Sequence, residues 1–547
     1  MSRFPPKRFR VASLRHRRVS PSASLRSQLL TAAVLAAVGA RLPAQLQFAQ
    51  SAAPSGLSAL AVGHAGDIDG DGDLDMAVGL RPLSGGRTFR IYKNDGRGAF
   101  TDVTPIGLPF TVGGTASLAF GDVDGDGDLD LVLGSYLSPV GAQNRLLIND
   151  GTGAFTEQTG ARLPMRQDPT TSIAFGDFDG DGDLDLVEGN GGSYGSGGWR
   201  NRLLVNDGSG VFTDVTTSQM PNVTDMTSAL AVGDVDGDGD LDLVFGNGYY
   251  DGLQCLEGEQ NRLLVNDGTG TFTDVTATQL PSDNTMTHGA AFGDVDGDGD
   301  LDLVFGNDNY SGGQDGQERL LLNDGTGVFT DGTAGRLPPL QDSTFTVALA
   351  DIDEDGDADI LVGNAVNPSY PGPPGWRLLA NDGTGTFSDV TAQRLPVQST
   401  LLWSIEVADV DGDGDADVIG GVWGGLQVHR NLLRQLDAPA APVVGQSYQL
   451  DVYARYGVPR LFDVALPYVS FASASIVLPN LGTVGIDLAQ AAPLPLMLIP
   501  QPAGVASTAV AIPNNPVLVG VELYAQALHV PYPLPPRLMN VTFGIVQ

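Results

Sequence analysis

The sequence has one cysteine, Cys255, in 547 residues, which excludes a disulfide framework and any cysteine-based zinc or iron–sulfur site. It has two lysines, Lys7 and Lys93, and only 29 basic residues against 65 acidic ones, a formal net charge of −36. That balance excludes nucleic acid as an expected partner, because phosphate binding needs Lys and Arg. No apolar run is long enough to span a bilayer, and beyond the first forty residues none comes close. Among the histidines, His64, His288, His429 and His529 are too scattered to form a metal motif. What the chain does have is glycine, 73 residues, and acid that is concentrated, since charged residues make up only 17% of it. An apolar fraction of 42% excludes a disordered acidic tail.

Residues 1–40 hold eight Lys or Arg and no acid, and end in the apolar stretch Leu29–Ala40 followed by small residues. This is the layout of an export signal, with cleavage expected between Ala40 and Ala44. A secreted, periplasmic or cell-surface location follows as an expectation. Without these residues the balance sharpens to 65 acidic against 21 basic, a net charge of −44.

The body, residues 45–436, is seven copies of one unit. A nine-residue string recurs: DIDGDGDLD from Asp67, DVDGDGDLD from Asp122, DFDGDGDLD from Asp177, DVDGDGDLD from Asp234 and Asp294, DIDEDGDAD from Asp351 and DVDGDGDAD from Asp409. The steps are 55, 55, 57, 60, 57 and 58 residues. A second string, NDGxGxF, follows six of the seven, and from its Phe to the next repeat's first Asp is always 22 residues. Each unit reads as four short strands, A to D. In the second unit these are Ser117–Gly121, Leu129–Gly134, Arg145–Asn149 and a D strand opening at Ala154–Thr156. The Asp string joins A to B, and the Asn-Asp-Gly turn joins C to D. No segment shows a sustained helical period. Such a unit cannot cover both its faces alone. Repeated radially it gives an all-β fold, a seven-bladed β-propeller, with a linear solenoid as the runner-up. The seventh unit lacks a D strand, and Leu46-Gln47-Phe48 is an orphan strand that can complete it and close the ring.

The Asp string has the layout of a calcium loop. In D-x-D-x-D-G-x-x-D, side chains at positions 1, 3, 5 and 9 converge with a backbone carbonyl at position 7, a set of hard oxygens that suits Ca²⁺ better than Mg²⁺. The candidate ligands are Asp67, Asp69, Asp71, Asp73 and Asp75; Asp122, Asp124, Asp126, Asp128 and Asp130; Asp177, Asp179, Asp181, Asp183 and Asp185; Asp234, Asp236, Asp238, Asp240 and Asp242; Asp294, Asp296, Asp298, Asp300 and Asp302; Asp351, Asp353, Asp355, Asp357 and Asp359; and Asp409, Asp411, Asp413, Asp415 and Asp417. In each set the fourth residue contributes its carbonyl. About seven Ca²⁺ sites are expected. Position 12 is apolar or Gly in six loops, so this is no EF-hand; Glu188 at that position of the third loop is read as coincidence.

The strings AFGDVDGDGDLDLVFGN and NRLLVNDGTGTFTDVT resemble FG-GAP/VCBS repeats, the family that includes the propeller of integrin α chains. The resemblance spans roughly residues 45–436. It implies a seven-bladed propeller with calcium in the A–B loops, and implies no activity. Glu354 departs from the pattern, replacing Gly at position 4 of the sixth loop.

The Asp loops and Asn-Asp-Gly turns share one face. The B–C loops on the other face vary and carry Tyr136, Tyr194, Trp199, Tyr249, Tyr250, Tyr310, Tyr370 and Trp376, with Trp423 in the seventh blade. Flat aromatics among Gly, Asn and Asp suit stacking on sugar rings or a protein contact, or else they cap blade cores. Gly191–Gly195 matches G-x-S-x-G, but in a glycine-rich loop and not between strand and helix, so it is read as a chance match.

From about Asp437 the repeat stops. Residues 437–547 hold 15 of the 35 prolines and read as a β-sandwich behind a linker, Leu436–Val443. Its expected strands are Ser447–Tyr453, Ala474–Leu478, Gly485–Leu488, Pro495–Ile499, Ala506–Ile512, Val517–Ala525 and Leu538–Ile545. Ile512–Leu528 resembles a carboxy-terminal module of secreted bacterial proteins. The expectation for the whole is a calcium-binding module that binds or adheres to extracellular glycan or protein. The alternatives are an extracellular polysaccharide-active enzyme with its site on the B–C/D–A face, and a purely structural surface protein.

Overall fold

The computed structural model describes residues 48–51, 59–82, 88–96, 98–105, 113–137, 141–192, 198–248, 258–308, 316–339, 342–364, 375–396, 402–422, 425–432 and 436–437, and, between 443 and 545, chiefly the strands named below. The expected export signal lies outside these residues.

The repeats form a seven-bladed β-propeller. Each of blades 1 to 6 is a four-stranded antiparallel sheet in chain order. In blade 4 the strands are Thr227–Gly233, Asp242–Asn247, Arg262–Asn266 and Phe272–Asp274. Every residue of its B strand is buried, because adjacent blades cover both faces of it. Seven apolar clusters fill the seven gaps between neighbouring blades. The one between blades 1 and 2, for instance, packs Ile68, Ile91 and Phe89 against Leu131, Leu133 and Phe155. The second residue of each Asp string plugs such a gap: Ile68, Val123, Phe178, Val235, Val295, Ile352 and Val410 are all buried.

The seventh blade is completed by the amino-terminal segment. Phe48–Ser51 pairs antiparallel with strand C of that blade, in the register Phe48↔Asn431 to Ser51↔Val428. Phe48 is 2% exposed and packs with Trp376, Leu378 and Val418. Phe48 therefore closes the ring as expected, in a strand that runs on to Ser51; Leu46 and Gln47 lie outside the described residues.

Two features were not expected. A single helical turn follows strand D in four blades, at Thr159–Arg162, Thr216–Gln219, Thr276–Gln279 and Thr391–Arg394, and at Thr333–Arg336 a turn with non-helical angles at Ala334 and Gly335 keeps the same closing hydrogen bond, from Leu337 N–H to the Thr333 carbonyl. Four residues are too few for an amphipathic period to register. In blades 2 to 7 strand A also carries a bulge near its start, whereas blade 1 pairs without one.

Beyond the propeller, Ser447–Tyr453 pairs with Val505–Ala511, and Asp463–Ser470 with Glu522–Val530. One core containing Tyr448, Leu450, Ala465, Ile499, Leu523 and Ala525 joins these strands. Asp463–Ser470 was missed in the sequence because of Pro467. That proline sits where one flank of the strand is interrupted: Asp463–Ala465 pairs with Met497–Ile499, and Tyr468–Val469 with Ala492–Pro493. A missing N–H is tolerated at such a gap. Leu436–Asp437, read as linker, pairs with Asp451–Val452.

Candidate metal centres

The Asp loop is built by its own backbone. In the first blade the N–H groups of Gly70 and Gly72 donate to the two oxygens of Asp67, at 2.8 and 3.0 Å. The Asp71 Oδ1 accepts from the N–H of Asp73, two residues on, at 3.1 Å. The same bonds recur in blades 3, 4, 5 and 7. Gly70 and Gly72 have φ of 70° and 91°, which only glycine adopts without strain. Glu354 takes the same conformation at φ 58°, as the one non-glycine residue among those described with positive φ.

The last Asp of the string is a structural anchor. Asp75 is fully buried; its Oδ2 accepts from Ile68 N–H at 3.1 Å and its Oδ1 from Asn94 N–H at 2.7 Å. Burial pushes Asp75, Asp185 and Asp302 up to about 6 and Asp130, Asp242 and Asp359 up to about 7, against the lowering effect of these bonds. The Asn that opens the C–D turn carries the network across the blade gap. Asn94 Nδ2 donates to the carbonyl of Val410 in blade 7 at 2.8 Å. Asn149, Asn206, Asn266, Asn323 and Asn381 do the same to Ile68, Val123, Phe178, Val235 and Val295. Asn431 of the seventh blade, which has no NDGxGxF string, donates to Ile352 at 3.0 Å. All seven gaps are clamped alike. The spacing between the two strings was visible in the sequence, but not that one side chain links neighbouring blades.

The fourth Asp turns toward the C–D turn. A Cβ on Gly96 would lie 2.5 Å from the Asp73 carboxylate, and on Gly268 2.4 Å from that of Asp240, so this turn position excludes a side chain. Its carboxylate is thus directed at the turn, which leaves the carbonyl as the contribution expected from this residue.

The third position is different. Asp69, Asp124, Asp179, Asp236, Asp296 and Asp353 each have a buried Oδ1 with no hydrogen-bond partner. Their donor atoms cluster with those of positions 1 and 9: Asp122, Asp124 and Asp130; Asp177, Asp179 and Asp185; Asp234, Asp236 and Asp242; Asp294, Asp296 and Asp302; in blade 1 the cluster is Asp67, Asp69 and Asp71. Ligand atoms within each group lie within 4.8 Å of one another. These groups can hold a metal ion. A buried anionic oxygen without a donor is costly alone, and a cation supplies what it lacks. Blade 7 differs in exposure, with Asp413 and Asp415 each 2% exposed and burial pushing both carboxyls upward.

The opposite ends of the blades are held by other means. Arg202, Arg262, Arg319 and Arg377, on the C strands, pair with Asp168, Asp225, Asp283 and Asp342, on the segments leading into strand A of the same blade; the Arg262–Asp225 contact is 2.6 Å. Asn144, Asn201 and Asn261 donate to Thr170, Thr227 and Thr287 of the following blade at 2.9–3.0 Å. Glu188, taken for coincidence in the sequence, is fully buried, accepts from Asn144 at 2.7 Å and is pushed up to about 7 by burial. Glu318 is likewise pushed up to about 7.

Of the aromatics expected on this face, Trp376 is corrected. It is 3% exposed, lies in strand C and packs in the core between blades 6 and 7, because the sheet continues through Gly375. Tyr136 is half-buried with the Arg81 guanidinium 4.5 Å from its ring centroid. Trp199 is half-buried, its backbone paired with Asp225. Tyr194, Tyr249, Tyr250, Tyr310, Tyr370 and Trp423 lie outside the described residues. A cluster the sequence did not reveal is formed by the strand A bulges. His288, Phe345 and Trp403 are the residues skipped by the pairing in blades 5, 6 and 7. His288 stacks on Phe345 at 5.0 Å and Phe345 meets Trp403 edge-on at 4.7 Å. No described helix is long and apolar enough to cross a membrane.

Comparison with known proteins agrees with this architecture. A model of the FG-GAP-like repeat matches residues 67–133, 136–188, 192–245, 246–305, 307–362 and 367–420, more than half of the chain. A second model, the FG-GAP repeat, matches residues 114–153. The chain is similar to cartilage acidic protein 1 of Mus musculus, 26% identical over 365 residues, covering 62% of this chain and 53% of that protein. It therefore spans about half the length of this relative. Among solved structures it matches Trypanosoma rangeli sialidase in complex with sialic acid, at 10% identity and a TM-score of 0.34, over 83% of this chain and 90% of that one. It also matches the Dos1 propeller, at 10% identity and a TM-score of 0.40, over 70% and 94%. With six family matches that together span all seven Asp loops, the chain belongs to the FG-GAP-like repeat family.

Proposed function

We propose that this is an exported, calcium-stabilised binding module whose propeller presents its variable face to an extracellular glycan or protein. The observation that carries the calcium assignment is the buried, partnerless Oδ1 at the third loop position, repeated in six blades. Calcium fits the donor set better than magnesium does, because the oxygens are many and hard and the backbone fixes the loop without requiring an octahedron. In each loop the side chains at positions 1, 3, 5 and 9 and the carbonyl at position 7 would hold the ion. Bound there, the ion neutralises like charges that otherwise repel. Its role in this reading is structural, because the loops repeat while the opposite face varies.

The binding assignment rests on that variation. The B–C loops differ in length and carry tyrosines, and the His288–Phe345–Trp403 cluster sits at the inner edge of the same end. Ring stacking suits sugars and aromatic-rich protein surfaces. A glycan and protein array probed with calcium-loaded protein tests this. Retention of a ligand without turnover is expected, weakened when Tyr249, Tyr250 and Tyr310, or Trp403, become Ala. Binding indifferent to these changes contradicts the assigned face, and release of product replaces binding with catalysis.

A further inference from the structure

The seven loops share one sequence pattern, but their surroundings carry different charge. In five blades a basic side chain reaches the outer oxygen of the Asp at the third loop position. The last residue of the helical turn does so in three: Arg162 on Asp124 at 3.1 Å, Arg336 on Asp296 at 3.3 Å and Arg394 on Asp353 at 2.6 Å. The residue before the clamp Asn on strand C does so in two: Lys93 on Asp69, and Arg430 on Asp411 at 3.5 Å.

Blades 3 and 4 have neither. Strand C carries Val205 and Val265 at that point, and the helical turns end in Gln219 and Gln279. Gln219 occupies the same place as its charged counterparts. Its Nε2 donates to the carbonyl of Thr269 in the next blade's C–D turn at 3.2 Å, as Arg162 Nη1 does to Ser209 at 2.5 Å and Arg336 Nη1 to Thr384 at 2.6 Å. The anchor is kept and the charge is removed. The inner Oδ1 of Asp179 and of Asp236 remains buried without a partner.

We infer that the loops of blades 3 and 4 form a tight class of cation sites and that the other five, each beside a fixed positive charge, form a weaker class. This rests on the calcium reading of the loops. A unit charge a few Å from a divalent ion lowers its affinity roughly tenfold or more, even when well screened. As calcium falls, blades 3 and 4 keep their ions longest, so the ring loses them from the seam side first.

Titration of the full chain with calcium alone, from a chelator-stripped start, by isothermal calorimetry tests this. Two sites are expected to fill first and about five later, roughly tenfold or more weaker. Gln219→Arg and Gln279→Arg should each move one site from the tight to the weak class, and Arg162→Gln should move one the other way. Thermal melts of each variant in saturating calcium confirm folding. Seven equivalent sites, or tight sites unmoved by Gln219→Arg and Arg162→Gln, overturn the two-class inference while leaving the calcium reading intact. Absence of any calcium binding overturns both.

Discussion

At the B–C ends of blades 2 to 6, each of four buried aspartates faces a guanidinium, and asparagines and threonines pair across the gaps. At the A–B ends, five aspartates share nine residues, and one basic side chain at most reaches them. The two rims clamp the same blades with opposite electrostatics. One sets a guanidinium from the chain itself against each of these four aspartates. The other leaves a buried anionic oxygen in six blades with nothing to bind it. The lesson is that one repeat can hold its two ends by different means, ion pairs within the chain at one and converging carboxylates that could hold a metal ion at the other.

The largest effect should come from breaking the Arg–Asp rim. Arg377 and Asp342 are 4% and 2% exposed, so Asp342→Asn leaves a buried guanidinium without its main counter-charge. We expect a loss of about 3 kcal/mol, equal with and without calcium, measured by denaturant unfolding. A loss confined to calcium-free protein would erase the contrast between the rims.

Next is the pH response of that same rim. Glu188 and Glu318 are held up at about 7 against an ordinary 4.5, so the folded state keeps protons that the unfolded state releases. Stability then falls as pH rises from about 4.5 to about 7, and levels off above. In calcium-loaded protein, Glu188→Gln with Glu318→Gln should flatten this slope and add about 2 kcal/mol at neutral pH. An unchanged slope would show that these two carboxyls are not its source.

A smaller change should reverse sign on the Asp-loop rim. Asp236→Asn removes one of the converging charges, so it should stabilise the calcium-free protein by about 1 kcal/mol and destabilise the calcium-loaded one by a similar amount. The same sign in both conditions would mean that this rim gains nothing from an ion.

The propeller was legible because its signals repeat. Seven Asp strings at a near-constant step fix the blade count, and Phe48 alone at the right distance marks the closing strand. The clustering of the loop aspartates was legible for the same reason. The Asn clamp was half visible: its string was noted, but a contact between blades has no signature within one. The Arg–Asp pairs were hidden because partners such as Arg262 and Asp225 lie 37 residues apart, with a B–C loop of varying length between them. Trp376 was misplaced because a strand start and a loop end look alike beside glycine and proline. In the carboxy-terminal region nothing repeats, and Pro467 disguised a central strand.

The central claim is that the Asp loops require a cation. The most direct test is the melting temperature of the full chain in calcium, after chelation, and after calcium is restored. A fall of more than about 10 °C on chelation, reversed by calcium, is the result predicted. The same melting temperature in all three states would contradict the account, since the six buried oxygens would then be tolerated with no ion at all.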